Sequence, residues 1–149
     1  MYKIAPFELQ YVERYTDLIE QFSEESQFGV YERQSVRKLV EAGCTQDNSA
    51  SLHLLKDDRP IGIILGFIQP HYFDQTYLGL VELTWYVDPK ERSGIWSIKL
   101  FKEFEALGEE KGVAYILTSL RNNSTPEKLE RFYKKRGYAS EELTFIKRL

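Results

Sequence analysis

The sequence predicts a mixed α/β protein in which helices cover both faces of one central sheet. Apolar residues recur at three- and four-residue steps in four stretches, and β-branched or alternating apolar runs lie around them. Turn sequences rich in Gly, Pro and Asp separate the two kinds of stretch. The predicted order is β-α-α-β-β-β-α-β-α-β-β. Because the 149 residues show no repeat and no linker, residues 1–149 are expected to form one domain.

The first half of the chain is predicted to contain a strand, two helices and a β-hairpin. The expected segments are a strand at residues 2–5, a helix at 11–22, a polar loop at 23–29, a helix at 32–42, and hairpin strands at 52–55 and 61–68. Gly43 is expected to end the second helix, because glycine is common just beyond a helix end.

The second half is predicted to contain the remaining sheet and two helices. The expected segments are a loop with His71 at 69–77, a strand at 80–87, a helix at 94–111, a strand at 113–120, a helix starting at Thr125-Pro126-Glu127, and strand pieces at 138 and 143–146. Strict alternation along 80–87 puts Val81, Leu83, Trp85 and Val87 on one face, and Glu82, Thr84 and Tyr86 on the other.

Charge and cysteine content argue against several classes of function. Lys and Arg number 20 and Asp and Glu 23, so at net charge −3 no positive excess drives binding to nucleic acids. The single cysteine, Cys44, cannot form an internal disulfide and is expected to be an ordinary packed or surface thiol. The sequence shows no signal-peptide pattern and no stretch that could span a bilayer, so we expect a cytoplasmic protein without a membrane partner.

The strongest local signal is a strand that ends in Val87-Asp88-Pro89 and leads through a short loop into a helix. The start of a helix presents free backbone N–H groups and the positive end of the helix dipole, which together can hold a phosphate. Gly94 would let an anion approach the backbone, and Arg92, Ser93 and Ser97 can add donors. An ordinary strand-to-helix connection is the alternative interpretation.

A second signal lies near the end of the chain, where Tyr133 is followed by Gly137-Tyr138. In this order and spacing, the two signals resemble the GNAT superfamily of acyl-coenzyme A-dependent N-acetyltransferases. That family has a strand ending in Val-x-Pro, a Gln/Arg-x-x-Gly-x-Gly/Ala loop before a long helix, and a later helix with a Tyr before Gly-Phe/Tyr. Two positions depart from the pattern, because Glu91 replaces Gln or Arg and Trp96 replaces a small residue.

The resemblance implies that acetyl-coenzyme A (acetyl-CoA) binds between the strand ending at Val87 and the strand at 113–120. A bulge in the first strand would free backbone groups of Tyr86 and Val87 for the pantetheine arm, and Asn122 or Asn123 would contact the same arm. The pyrophosphate would bind the residues of the loop, which are Arg92, Ser93, Gly94, Ile95, Trp96 and Ser97. Part of the basic run at 128–136 would contact the 3′-phosphate. No cluster has metal-ligand spacing, so no metal is expected.

The resemblance also implies direct attack of an amine on the thioester. Tyr133 is then the acid for the departing thiolate, because a phenol with a pKa of about 10 is protonated at neutral pH; the alternative is a core aromatic residue. Glu82 is the candidate base, directly or through a water, with an ordinary ion-paired carboxylate as the alternative. His71 is a second candidate base, for which a surface histidine is the alternative.

The function that these residues indicate is acetyl transfer from acetyl-CoA to a primary amine. The acceptor is a small metabolite, a protein lysine or a protein N-terminus, and the loops at 23–29 and 69–77 are expected to select it. Two alternatives stay open: a GNAT-fold enzyme that modifies nucleic acid, which the net charge disfavours, and a GNAT-fold binding module without activity. A homodimer is also left open.

Overall fold

The computed structural model describes residues 1–26, 28–120 and 126–149, and the chain forms two compact units, Met1–Ser119 and Leu120–Leu149. The first unit contains β1 (Tyr2–Pro6), α1 (Val12–Ser26), α2 (Arg33–Thr45), β2 (Leu52–Lys56), β3 (Arg59–His71), β4 (Asp74–Val87), α3 (Trp96–Glu110) and β5 (Tyr115–Leu117), with 3-10 turns at Leu9–Tyr11 and Pro89–Glu91. The second unit contains α4 (Pro126–Lys135).

The sheet of the first unit has the strand order β1-β2-β3-β4-β5. The first four strands pair antiparallel, and β5 pairs parallel to β4. The prediction of a mixed sheet that begins antiparallel is therefore confirmed. Because β4 and β5 are parallel, a crossover must join them, and α3 is that crossover.

Helices cover both faces of this sheet. On one face α1 and α2 pack on β3 and enclose a buried core, which contains Phe7, Val12, Tyr15, Leu18, Ile19, Val40, Ile63, Leu65, Phe67 and Tyr86. On the other face Phe101 and Phe104 of α3 are fully buried, and Phe101 contacts Trp85 of β4 with a ring-centroid distance of 4.8 Å. The sheet thus lies between two apolar layers.

The expected loop at 69–77 is wrong, because β3 and β4 form one long hairpin that turns at Tyr72 and Phe73. Proline and polar residues made this segment resemble a loop. Pro70 is tolerated because β2 pairs only with residues 59–64 of β3, so no strand in the described part of the chain needs the missing N–H.

Gly43 does not end α2, and the predicted helix boundary there is wrong. The helix continues to Thr45. A Cβ at position 43 would lie 2.9 Å from Leu65 Cδ1 and 3.1 Å from Phe7 Cδ2. The glycine therefore allows α2 to approach the sheet closely. Likewise α1 extends to Ser26 and takes up half of the expected 23–29 loop.

Two further outcomes concern the ends of segments. Pro126 starts α4, as predicted, whereas Thr125 lies outside the described residues. The terminal strands expected at 138 and 143–146 are wrong, since the structure assigns no strand within 126–149. A strand requires a ladder of backbone hydrogen bonds to a partner, and apolar residues such as Leu143 and Phe145 do not supply one by themselves. In the part of the chain that the structure describes, no helix is long and apolar enough to cross a membrane.

Candidate active site

The parallel pair β4 and β5 opens after three residues. Residues 79–81 of β4 pair with Tyr115–Leu117, and within the described residues no strand pairs with that edge of β4 from Glu82 to Val87. An unpaired strand edge presents backbone N–H and C=O groups. This open edge is where the resemblance to GNAT enzymes implies that acetyl-CoA binds.

A β-bulge lies directly at the start of the open edge. Thr84 pairs with Leu65 and Glu82 pairs with Gly66, so Leu83 is an extra residue in β4. The expected bulge is present, but it lies at Leu83, whereas Tyr86 and Val87 pair in regular register with β3.

One extra residue inverts the alternation of side chains along a strand. Val81 pairs with Phe67, which belongs to the core beneath α1 and α2, whereas Trp85 contacts Phe101 of α3. The prediction that Val81 and Trp85 lie on the same face of β4 is therefore wrong. The sequence pattern assumed an unbroken strand, which the bulge interrupts.

Glu82, the candidate base, directly precedes the bulge and is only 9% exposed. It pairs with Gly66, and a Cβ on that glycine would meet the Phe104 ring at 2.8 Å. The register therefore places Glu82 on the α3 face, not with Thr84 and Tyr86 as predicted. A carboxyl group that is mostly shielded from water, at the point where the strands part, is suitably placed for proton transfer.

The loop between β4 and α3 is anchored at its start and open at its end. The Asp88 N–H donates to the Ile61 carbonyl at 2.8 Å, and the Asp88 carboxylate accepts from the Lys90 N–H at 3.0 Å. Among the residues that the structure describes, no side chain caps the start of α3 at Trp96. In the described part of the chain, the backbone N–H groups of residues 93–97 have no hydrogen-bond acceptor.

Gly94 lies at the centre of these free N–H groups. A Cβ at this position would meet nothing within 4 Å, so internal packing does not require the glycine. Free N–H groups at a helix start, at the positive end of the helix dipole, favour an anion such as pyrophosphate. The geometry is therefore that of an anion-binding loop built from backbone.

Arg92 does not direct its charge into this loop. Its Nε donates to the Val87 carbonyl at 2.6 Å, and its two terminal nitrogens bind the Glu25 carboxylate at 2.8 and 2.9 Å. This hydrogen-bonded pair lowers the pKa of Glu25 and raises the pKa of Arg92. The Val87 carbonyl thus has one hydrogen bond already and can accept another through its second lone pair.

Both departures from the GNAT pattern are accommodated by Tyr2. The Glu91 carboxylate accepts from the Tyr2 hydroxyl at 3.0 Å and from Lys56 Nζ at 2.8 Å. The hydrogen bond from Lys56 lowers the pKa of Glu91. The Trp96 indole stacks on the Tyr2 ring at 5.1 Å. The acidic group and the bulky ring are therefore both held towards β1 and β2.

Tyr133, the candidate acid, belongs to the second unit. Its ring contacts Tyr138 at 5.5 Å, and its carbonyl accepts from the backbone N–H groups of Arg136 and Tyr138. Gly137, with φ of 90°, makes the turn that brings Tyr138 back to Tyr133. Tyr133 is buried, as both the catalytic and the core interpretation require. Asn122 and Asn123 lie outside the described residues.

The other candidate residues do not join this site. His71 lies five residues along β3 from Gly66, the partner of Glu82, so roughly 17 Å of strand separates it from Glu82. Cys44 is a free, partly buried thiol, and burial raises its pKa to about 11. In the described ranges, no group of three or more His, Cys, Asp or Glu side chains could hold a metal ion.

Known structures resemble the whole chain. The ribosomal-protein-alanine N-acetyltransferase from Brucella melitensis biovar Abortus 2308 is 14% identical, with 99% of both chains covered and a TM-score of 0.78. The aminoglycoside N-acetyltransferase AAC(6')-Iy in complex with CoA is 16% identical over 100% of this chain and 95% of its own, with a TM-score of 0.79. The glucosamine-6-phosphate N-acetyltransferase from Arabidopsis thaliana is 14% identical over 99% and 98%, with a TM-score of 0.75.

The chain has the GNAT fold. No family model and no curated protein matches the sequence. The fold agrees with the sequence resemblance, which rested on short motifs at the β4 end and at α4.

Three residues that hold the loop between β4 and α3 could not be predicted from the sequence. Tyr2 and Lys56 bind Glu91 from 89 and 35 positions away, and Glu25 binds Arg92 from 67 positions away. No local motif marks such distant partners. The unusual acidic residue at position 91 was the one available signal, because a partly buried carboxylate needs a cation or a donor.

Proposed function

We propose that this GNAT-fold chain is an N-acetyltransferase that transfers an acetyl group from acetyl-CoA to a primary amine. The observation that carries the proposal is the open edge of β4 next to the uncapped start of α3. The first feature offers backbone groups to an extended amide-containing arm, and the second offers N–H groups to a pyrophosphate. Acetyl-CoA contains both in one molecule.

The proposed reaction is a direct transfer. The amine nitrogen attacks the thioester carbonyl, a C–N bond forms, the C–S bond breaks, and the thiolate leaves. Glu82, directly or through a water, accepts the proton that the amine loses, and Tyr133 donates its proton to the thiolate. Much of the acceleration comes from holding the two reactants together.

The acceptor is proposed as an amine on a small molecule, a sugar or a protein. The structural neighbours are named for aminoglycosides, glucosamine 6-phosphate and ribosomal-protein alanine, which all present primary amines. We expected the segments 23–29 and 69–77 to select the acceptor as loops. Most of both segments is helix or hairpin, so any role in selecting the acceptor would belong to those elements.

The test has a binding stage and a turnover stage. Calorimetric titration with acetyl-CoA should show one saturable site. Release of free thiol should follow when an aminoglycoside, glucosamine 6-phosphate or a peptide with an N-terminal alanine is added. Binding without turnover on any amine would favour the inactive binding module, and no binding would contradict the proposal.

Tyr133→Phe tests the acid, because it removes one oxygen and keeps the ring. Turnover should fall about 100-fold, the usual contribution of a positioned proton donor, with the acetyl-CoA affinity nearly unchanged. Thermal melting of the variant serves as the control for folding. Full turnover in a folded variant would assign Tyr133 to the core.

Glu82→Gln tests the base through its pH profile. If Glu82 removes the amine proton, the loss of turnover should be largest at low pH, where little free amine is present. An equal loss at every pH would instead assign Glu82 a positioning role.

A further inference from the structure

A cavity of about 470 Å³ lies between β1 and the first two turns of α3. Its lining includes Tyr2 and Ile4 from the strand and Trp96, Lys99 and Lys102 from the helix. The volume is within the range of about 300–1,000 Å³ that is typical of small-molecule sites. None of the proposed steps of acetyl transfer uses this cavity.

The aromatic part of the cavity is a preformed flat surface. The rings of Tyr2 and Trp96 are stacked with an interplanar angle of 16°, and both side chains are partly exposed. Lys99 Nζ lies 4.5 Å from the indole centroid. An anion bound by Lys99 would therefore lie beside an aromatic face.

The charged part of the cavity contains three lysines, Lys3, Lys99 and Lys102, and one carboxylate, that of Glu103. Among the described residues, neither Lys99 nor Lys102 has a carboxylate within 4 Å, although Glu103 follows Lys99 by one helical turn. The chain as a whole has a net charge of −3, so these two exposed ammonium groups form a local exception. Lysine ammonium groups that have no carboxylate within 4 Å among the described residues, next to an aromatic pair, suit an anion that carries a flat ring.

We propose that the β1–α3 cavity binds a nucleotide, with the base against the Tyr2–Trp96 pair and a phosphate at Lys99 and Lys102. Stacking on an aromatic side chain favours binding of any base, because every base has a flat π-face. The ammonium groups add charge-assisted hydrogen bonds to the phosphate. The basic run at 128–136, expected to contact the 3′-phosphate, is not needed for this interaction.

The nucleotide has two possible sources. One is the nucleotide end of acetyl-CoA bound at the adjacent loop, and this source rests on the proposed function. The other is a separate nucleotide that binds whether or not the chain transfers acetyl groups. ADP, which carries the shared chemistry, is therefore the first probe.

The first experiment is calorimetric titration with ADP alone. The wild-type chain should bind ADP saturably, and the double variant Lys99→Gln/Lys102→Gln should weaken the binding by about tenfold or more, as expected for loss of charge-assisted hydrogen bonds. Lys38→Gln, an exposed lysine on α2, is the matched control and should stay within about twofold, as a distant surface charge does.

Trp96→Leu is the independent second variant. It removes the stacking ring and leaves both lysines, so it should also weaken the binding of ADP. Absence of saturable binding to the wild-type chain, or equal affinity in both folded cavity variants, would overturn the proposal. Equal affinity in the two variants would indicate that ADP binds the loop at 93–97 and not the cavity.

The second experiment identifies the source by comparing acetyl-CoA with 4′-phosphopantetheine, which lacks the nucleotide. If the cavity holds the nucleotide end of acetyl-CoA, the double lysine variant should bind acetyl-CoA more weakly than the wild-type chain does. Its affinity for 4′-phosphopantetheine should be unchanged. If it holds a separate nucleotide, ADP should bind with acetyl-CoA already saturating. A chain that binds ADP in the cavity but never acetyl-CoA would refute the proposed function alone.

Discussion

Two neighbouring regions of the first unit favour anions by opposite means. In the loop at 93–97 the free groups are backbone N–H, and the nearby charged side chains, Glu91 and Arg92, already have ion-pair partners. In the β1–α3 cavity the groups that attract an anion are side-chain ammonium groups, which include those of Lys99 and Lys102. Tyr2 and Trp96 lie at the border of the two regions.

The difference has a consequence for selectivity. Backbone N–H groups are fixed in direction, so the loop should select a ligand by shape and respond weakly to salt. Lysine ammonium groups on flexible stems act as point charges, and their attraction is screened over about 10 Å at 0.1 M salt. Pairing of Glu91 with Lys56 keeps the loop close to neutral, so its acidic residue does not repel a phosphate.

Gly94→Glu should have the largest effect on the loop. The new carboxylate would stand among the free N–H groups and repel a pyrophosphate, so we expect acetyl-CoA affinity to fall by about 100-fold or more, or 2.7 kcal/mol. ADP binding in the cavity should fall much less. Calorimetry on both ligands measures the contrast.

Gly94→Ala is the matched control for this variant. Its Cβ would enter open space, and the loop should fold normally with most of its affinity retained. Undiminished acetyl-CoA binding by Gly94→Glu would show that the loop is not the pyrophosphate site.

Lys56→Gln should have an intermediate effect, because it leaves the Glu91 charge beside the loop without its ion-pair partner. We expect acetyl-CoA affinity to fall about threefold to tenfold, as charges near a protein surface interact by about 1 kcal/mol. The measurement is the same titration at low and physiological salt.

The double variant Lys56→Gln/Glu91→Gln provides the decisive comparison for this pair. Removing both charges should restore the affinity, since the repelling carboxylate is gone. A double variant as weak as Lys56→Gln would mean that Lys56 supports the loop by packing, not by charge balance.

The fold was predictable because its signals are local. Periodicity marked α1 to α4, although Gly43 misplaced the end of α2, and the Val87-Asp88-Pro89 turn marked where β4 leads towards α3. The β-bulge at Leu83 was not predictable in position, because an extra residue leaves no trace in a short alternating strand. That one residue moved Glu82 to the opposite face from the one that alternation predicts.

The part of the candidate site that was predictable from the sequence is the part formed by backbone groups. The free N–H groups follow from a helix start, which sequence can locate. The side-chain environment depends on contacts across the sheet, such as Tyr2 with Trp96 and Glu25 with Arg92. These pairs form only after the strands align, so the expectation that Arg92 adds a phosphate donor was reasonable but missed its partner in α1.

Glu25→Gln should have the smallest effect and the opposite sign. It removes the carboxylate that holds both terminal nitrogens of Arg92, so positive charge near the loop is no longer balanced. We expect acetyl-CoA to bind about twofold to threefold more tightly at low salt, a gain of about 0.5 kcal/mol that is typical of exposed charges. Glu24→Gln changes the same charge on an exposed neighbour of Glu25 and should leave the affinity unchanged. Equal gains in both variants would indicate a general charge effect, whereas weaker binding by Glu25→Gln alone would show that the Arg92 pair shapes the loop.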